Sequence, residues 1–250
     1  MLTKTQALVL RCTPYGEHAV VARLLTRELG AYAYIIHGIR SKKARITPSM
    51  LHPMALLDTE VLHRPDTELQ RVQYLQPHLS GLAGYANSMQ LLAAGLLAEI
   101  LSQAIHDHDP QPELFDWLCV RLHDLMTEAD PARASLAVLT DLPAWLGFSV
   151  DATTHASGRC LFYAEGVFVA TGSATHDAQP ARGRADQKSD YADPQSSRDM
   201  AYYLLHGQWY DDFKATEAYL LTLYGLYARH LPAFRIPRSH DMYGSLLLRQ

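Results

Sequence analysis

The sequence predicts an α+β protein, with a small antiparallel β-barrel over residues 1–78 followed by an α-helical domain over residues 79–250 that carries one β-hairpin. Three observations predict it. Short strand-like segments separated by turn residues recur up to Pro77; beyond it the apolar residues take a helical period. The charge changes at the same place. Residues 1–78 hold ten Lys and Arg against six Asp and Glu, a balance of +4, while the whole chain has a formal net charge of -4.

The strand segments are "QALVLRC", "AVVARLLTR", "AYAYIIHG", "ALLDTEVLH" and "ELQRVQYLQ", divided by "TPYGEH", "ELG", "GIRSKKARITPSMLHP" and "RPDT". Short strands at this spacing close most readily into a barrel. Helical stripes follow: Tyr85, Met89, Leu92, Leu96 and Ile100; then Phe115, Leu118, Leu122 and Leu125; then Leu136, Leu139, Leu142 and Leu146. Asp130-Pro131 supplies an N-cap and first-turn pair for the third helix. "RCLFYAEGVFVATG" (159–172) predicts a hairpin turning at Glu165-Gly166. Residues 173–198 carry almost no apolar side chains and predict a mobile loop, since little burial is there to offset ordering entropy. Leu220, Leu221, Tyr224, Tyr227 and Leu231 mark a last helix, ended by "LPAF".

Composition excludes several classes. Hydrophobic residues at 48% and charged residues at 19% describe a globular rather than a disordered or fibrous chain. The N-terminus has only a short apolar run before Arg11, unlike a signal peptide. The longest apolar region, Leu91 to Ile105, is broken by Glu99 and falls short of the ~20 residues a membrane span requires. A cytoplasmic protein with no membrane partner is the expectation. Cys12, Cys119 and Cys160 form no CxxC pair and read as structural thiols in a reducing compartment. GxxxxGK[ST], GxSxG and HExxH are all missing. "IHDHDP" (105–110) has metal-ligand residue types but reads as a solvated turn. The Asp211-Asp212 pair of "HGQWYDDF" reads as a helix N-cap rather than a catalytic acid pair.

One stretch stands out. "HGIRSKKARITP" (37–48) places Arg40, Lys42, Lys43 and Arg45 within six residues and no acid among them. Sequence-neutral binding of a nucleic-acid strand needs cations along the phosphates and rings under the bases. The loop supplies the first, with Arg11 and Arg23 as extensions across the sheet; Tyr15, Tyr32 and Tyr34 are candidates for the second. Tyr32 and Tyr34 share a strand face, which is either a stacking surface or the barrel core. The basic loop is either a phosphate contact or a solvated connection.

"ALVLRCTPYGEHAVVARLLTRELGAYAYIIHGIRSKKAR" resembles the N-terminal signature of the RecO family of bacterial DNA repair and recombination mediators. The correspondence rests on Gly16-Glu17, on Leu25-Thr26-Arg27-Glu28 with Gly30, and on Gly38, Arg40, Lys43 and Arg45. "MALLDTEVLH" and the tail "YARHLPAFRIPRSHDMY", with Leu231, Phe234 and Ser239 in register, are similar to further family segments. The resemblance implies an N-terminal oligonucleotide-binding (OB) barrel, a helical domain, and no bond-breaking catalysis. It implies binding of single- and double-stranded DNA in the bacterial nucleoid and annealing of complementary strands, including those covered by single-strand-binding protein (SSB). It also implies cooperation with RecR in loading RecA. The family's paired-cysteine zinc site is reduced here to Cys160 with His155 and His176 nearby, so no metal and no other cofactor is expected. Relatives hold the acidic, Phe-ended SSB tail on their helical part. Arg121 and Arg133, the only Lys or Arg between Arg71 and Arg159, are the candidates for its carboxylate, surface solubility being their other reading. An OB-barrel adaptor that recruits proteins without annealing is the alternative to the mediator.

Overall fold

The structure is a computed structural model that describes residues 2–39, 46–64, 67–78, 85–170 and 190–247. Its first five strands are β1 (Leu2–Tyr15), β2 (Ala19–Thr26), β3 (Gly30–His37), β4 (Leu56–Leu62) and β5 (Leu69–Pro77). They close a barrel in the order β1-β2-β3-β5-β4, the arrangement of an OB fold. All neighbours are antiparallel except β3 and β5, which run parallel with Ile35 opposite Arg71. Alternation builds the core. Val20, Ala22 and Leu24 of β2 and Tyr32, Tyr34 and Ile36 of β3 point inward, joining Ala7, Val9, Leu57, Val61 and Leu75. A bulge between Val9 and Arg11 shifts the later half of β1, so Arg11 faces out with its cross-strand partner Arg23.

Two helices, α1 (Ser88–Ala104) and α2 (Pro112–Thr127), share the barrel's compact unit, which runs from Met1 to Ala129. Asn87 starts α1 by accepting from the Gln90 backbone, while the Gln90 side chain accepts from the Ala86 backbone. The same Gln90 side chain donates to Met126 O, tying the two helices together. Helix α2 buries Phe115, Leu118, Leu122 and Leu125, the stripe its period predicts. Helix α1 buries Met89, Leu96 and Ile100 but also Ala93, Ala94, Leu97, Ala98 and Leu101, because it packs on β1 as well as on α2. Tyr85 precedes this helix instead of opening its stripe, and its hydroxyl donates to Pro53 O at 3.0 Å.

The second compact unit, Asp130 to Gln250, holds α3 (Pro131–Trp145), the hairpin β6 (Arg159–Phe162) and β7 (Val167–Ala170), then α4 (Pro194–His206), α5 (Glu217–His230) and α6 (His240–Leu247). Asp130 caps α3 as its position predicts, accepting from the Ala132 and Arg133 backbones. Tyrosines organise this unit. Tyr227 donates to Leu139 O and Tyr203 to Asp141, while Tyr219 bonds Thr140 and Tyr243 bonds Ser135. Hydroxyls from three helices thus satisfy α3 while their rings fill the core. The hairpin turns between Phe162 and Val167, with Gly166 in the left-handed region at φ 64°.

Two expectations are corrected in this unit. The predicted mobile segment, 173–198, lies outside the described residues up to 189, but its last part is ordered. Tyr191 and Ala192 are buried against β6, and Pro194–Arg198 open α4, capped by Asp193. Only a few of these residues are apolar, yet they close the hairpin's edge, a tertiary contact without a local signal. The Asp211-Asp212 pair does not cap a helix. It lies exposed in a turn, and Thr216 caps α5 by accepting from the Tyr219 backbone.

Candidate nucleic-acid interface

The outward side chains of the barrel fall into rows set by strand register. One row runs Tyr15, Ala19, His37; the next Thr13, Val21, Ile35, Arg71; the third Arg11, Arg23, Ala33, Leu69. Helix α1 bounds this face. Leu8 and Leu25, outward cross-strand partners beyond the third row, are completely buried on the side where α1 packs on β1. The first two rows stay open. Tyr15 is 56% exposed, Arg71, Arg11, Thr13 and His37 are exposed, and Val21 and Ile35 are half-buried.

The exit of β3 sets where the basic segment departs. Gly38 N donates to His18 O at 2.8 Å, clamping the end of β3 to the β1–β2 turn beside Tyr15. The cations Arg40, Lys42, Lys43 and Arg45 begin two residues further on and lie outside the described residues.

Of the extensions across the sheet, Arg11 stands free on the surface and makes no hydrogen bond or ion pair among the described residues, whereas Arg23 does not extend the patch. Its guanidinium donates to Ser102 O, to Ile105 O at 3.0 Å and to Asp107 at 2.7 Å, capping the end of α1. Those carbonyls are the unpaired groups of a helix C-terminus, which an Arg satisfies well. The "IHDHDP" segment is therefore more than a solvated turn. Besides holding Arg23, it donates from His108 N to Ala31 O, stacks the His108 ring on Tyr32 at 4.2 Å, and brings the Asp109 backbone against Gly30. A Cβ at Gly30, already at φ 79°, would lie 2.6 Å from Asp109 O.

The tyrosines divide likewise. Tyr32 and Tyr34 are 7% and 0% exposed and belong to the core, so the core alternative holds and neither offers a ring to a base. Tyr15 remains. Arg71 is a cation that strand patterns leave unassigned, because it joins the face only through the parallel β3–β5 pairing.

Of the tail-binding candidates, Arg121 on α2 pairs with Asp124 at 3.1 Å and lies 5.8 Å from the Trp117 ring centre. Arg133 on α3 donates to Tyr210 O at 2.8 Å and sits 5.7 Å from the Phe213 ring centre. They belong to different compact units. Cys160 is buried in the hairpin and His155 packs edge-on against Phe168, while His176 lies outside the described residues. Among the described residues no three His, Cys, Asp or Glu gather as metal ligands, and no helix is long and apolar enough to cross a membrane.

Comparison with known proteins matches both parts of the chain. Residues 1–79 fit the family model for the recombination protein O N terminal region, and residues 88–191 that for its C terminal region. The DNA repair protein RecO of Azobacteroides pseudotrichonymphae genomovar. CFP2 is 25% identical over 170 residues, covering 68% of this chain and 70% of that protein. The DNA repair protein RecO of Anaeromyxobacter sp. (strain Fw109-5) is 35% identical over 133 residues, 52% of this chain and 50% of that protein. That of Salinibacter ruber (strain DSM 13855 / M31) is 27% identical over 181 residues, 69% of each. The chain thus spans from half to about seven tenths of these relatives.

Proposed function

The chain belongs to the RecO family of DNA repair proteins, and from that membership we propose that it anneals complementary single strands and helps load a recombinase onto SSB-covered DNA. The observation that carries this reading is the family match over a closed OB barrel whose open face is flanked by Arg11 and Arg71 and ends where the basic segment begins. Residues 1–78 act as the nucleic-acid module, with Arg40, Lys42, Lys43 and Arg45 contacting phosphates of single- and double-stranded DNA. The remainder recruits proteins: RecR, the SSB tail and, through them, RecA. Arg121 and Arg133 are separate candidates for the tail carboxylate; Arg121 lies beside the half-buried Trp117 ring, whereas the Phe213 ring beside Arg133 is buried. The proposed role is mediation in the bacterial cytoplasm, with no bond broken or formed by the chain.

The deciding experiment is annealing of complementary oligonucleotides coated with SSB. Duplex should form faster with the protein than without it. Strand binding without acceleration would leave only an adaptor, and no binding at all would overturn the nucleic-acid reading. Reversing the charge of Arg121 or of Arg133 tests the tail site. At least one reversal should weaken binding of an SSB tail peptide while binding of naked DNA stays unchanged.

A further inference from the structure

Arg133 lies half-buried on α3 and holds no carboxylate. A guanidinium offers several donors, yet among the described residues this one makes a single hydrogen bond, to Tyr210 O at 2.8 Å, and no ion pair. The Phe213 ring centre lies 5.7 Å from it. Phe213 belongs to the loop between α4 and α5, is 4% exposed and fills an aromatic slot, stacked on Trp209 at 3.9 Å and edge-on to Tyr219 at 5.8 Å. The walls of the slot are held independently of Phe213. The Trp209 indole N–H donates to Arg133 O at 3.2 Å, Tyr219 bonds Thr140 of α3, and the Tyr210 hydroxyl donates to Asp199 at 2.6 Å.

Directly before Phe213 stand Asp211 and Asp212, both exposed. Two acids followed by a ring beside an arginine reproduce what an acidic, Phe-ended peptide would present, short of its terminal carboxylate. On the tail reading above, we propose that Asp211–Phe213 is a built-in plug of the tail site. The loop fills the slot in the free protein, and an acidic peptide ending in Phe enters by displacing Phe213. For the ring the exchange is balanced, one Phe replacing another. At Arg133 it favours the peptide, because a carboxylate gives a charge-assisted, bidentate pair that the neutral Tyr210 carbonyl does not. The part that must move is short, from Asp211 to the α5 cap at Thr216, while Trp209 and Tyr210 keep their bonds. Arg121 differs, since Asp124 already pairs with it at 3.1 Å.

The test measures binding of a labelled acidic hexapeptide ending in Phe, with a free terminal carboxylate, to the full chain by fluorescence anisotropy. Phe213→Ala empties the slot and should tighten binding about tenfold or more, because a site closed most of the time is weakened by the fraction of time it is open. Phe213→Leu, which fills the slot less well but is milder on the fold, should tighten it severalfold; circular dichroism checks both. Adding Arg133→Glu to either variant should abolish the gain, and so should amidating the peptide's carboxylate. In the unmodified protein, bound peptide should speed hydrogen exchange at the Phe213 amide, which donates to Tyr210 O at 3.0 Å. Folded Phe213 variants that bind no more tightly, a gain that survives Arg133→Glu, or a Phe213 amide indifferent to bound peptide would each overturn the plug and leave the tail reading to Arg121. A peptide that binds neither the unmodified protein nor the variants would overturn the tail reading as well.

Discussion

Two arginines that are neighbours across β1 and β2 show how little residue type says about role. Arg11 and Arg23 share a face and a register position, yet one is free and the other is bound to the end of α1. Arg23→Ala should therefore act on stability. Losing charge-assisted bonds to two carbonyls and a carboxylate should cost about 2–3 kcal/mol, read from urea unfolding. Its salt slope for single strands should be unchanged. Arg11→Ala should do the reverse, leaving stability within about 0.5 kcal/mol and lowering the slope by about 0.7. The cysteines give a pH prediction. Burial raises the Cys12 and Cys119 thiols from 9.0 to about 11. The folded state thus holds these protons more tightly than the unfolded chain. The stability they contribute is complete below pH 9 and is lost as pH rises to about 11. A Cys12→Ser, Cys119→Ser variant should show a smaller fall in urea midpoint between pH 8 and pH 10.5 than the unmodified protein, and at pH 8 both native thiols should alkylate far more slowly than in urea. Neither was legible from sequence: alternation from Ala7 and Val9 would turn Arg11 inward, and only the bulge before it sets it beside Arg23, while only the tertiary structure brings the end of α1 over one of them.

Elements were legible where one face is apolar and a cap is local. Helix α2 shows its full stripe, and Asp130 announces α3. Asp130→Ala should cost about 1 kcal/mol, the usual worth of an N-cap, measured by thermal unfolding. Helix α1 was less clear, because burial on two sides widens the apolar face and blurs its period. Helices α4 and α6 carried too little pattern. Helix α4 begins in a polar run, and its order comes from Asp193 and from β6, whose Leu161 N donates to Ser197 Oγ. Helix α6 has only eight residues, about two turns, too few to establish a period. Gly30 is an element-scale requirement that looks like an ordinary turn glycine. It needs a positive φ and also the missing Cβ, since the Asp109 backbone occupies that space. Gly30→Ala should cost about 2 kcal/mol or more and loosen residues 105–110. Faster hydrogen exchange at the His108 amide, which donates to Ala31 O, would report it.

For the whole molecule, the charge division is the feature that organises function. On the proposed function, a net-basic segment 1–78 in a chain of net charge -4 would draw a polyanion there rather than to the rest. Replacing Arg40, Lys42, Lys43 and Arg45 together by Ala should flatten log K against log salt by about 2–3 units, allowing for one cation that faces solvent. Single strands and duplex should both be affected, and different base sequences equally, as backbone contacts require. A folded variant with an unchanged slope would place the phosphate contacts elsewhere. The sequence by itself determined the strands, most of the helices, the family and the location of the basic segment, because alternation, period, caps and charge are properties of neighbouring residues. Only the tertiary structure decided that β3 and β5 pair in parallel, that Tyr32 and Tyr34 turn inward, that Arg23 serves α1 and that Arg71 faces the same side as Arg11. Each of these depends on segments far apart in the chain coming into contact, and the order in which the strands pair around the barrel, which local pattern does not specify, sets their register.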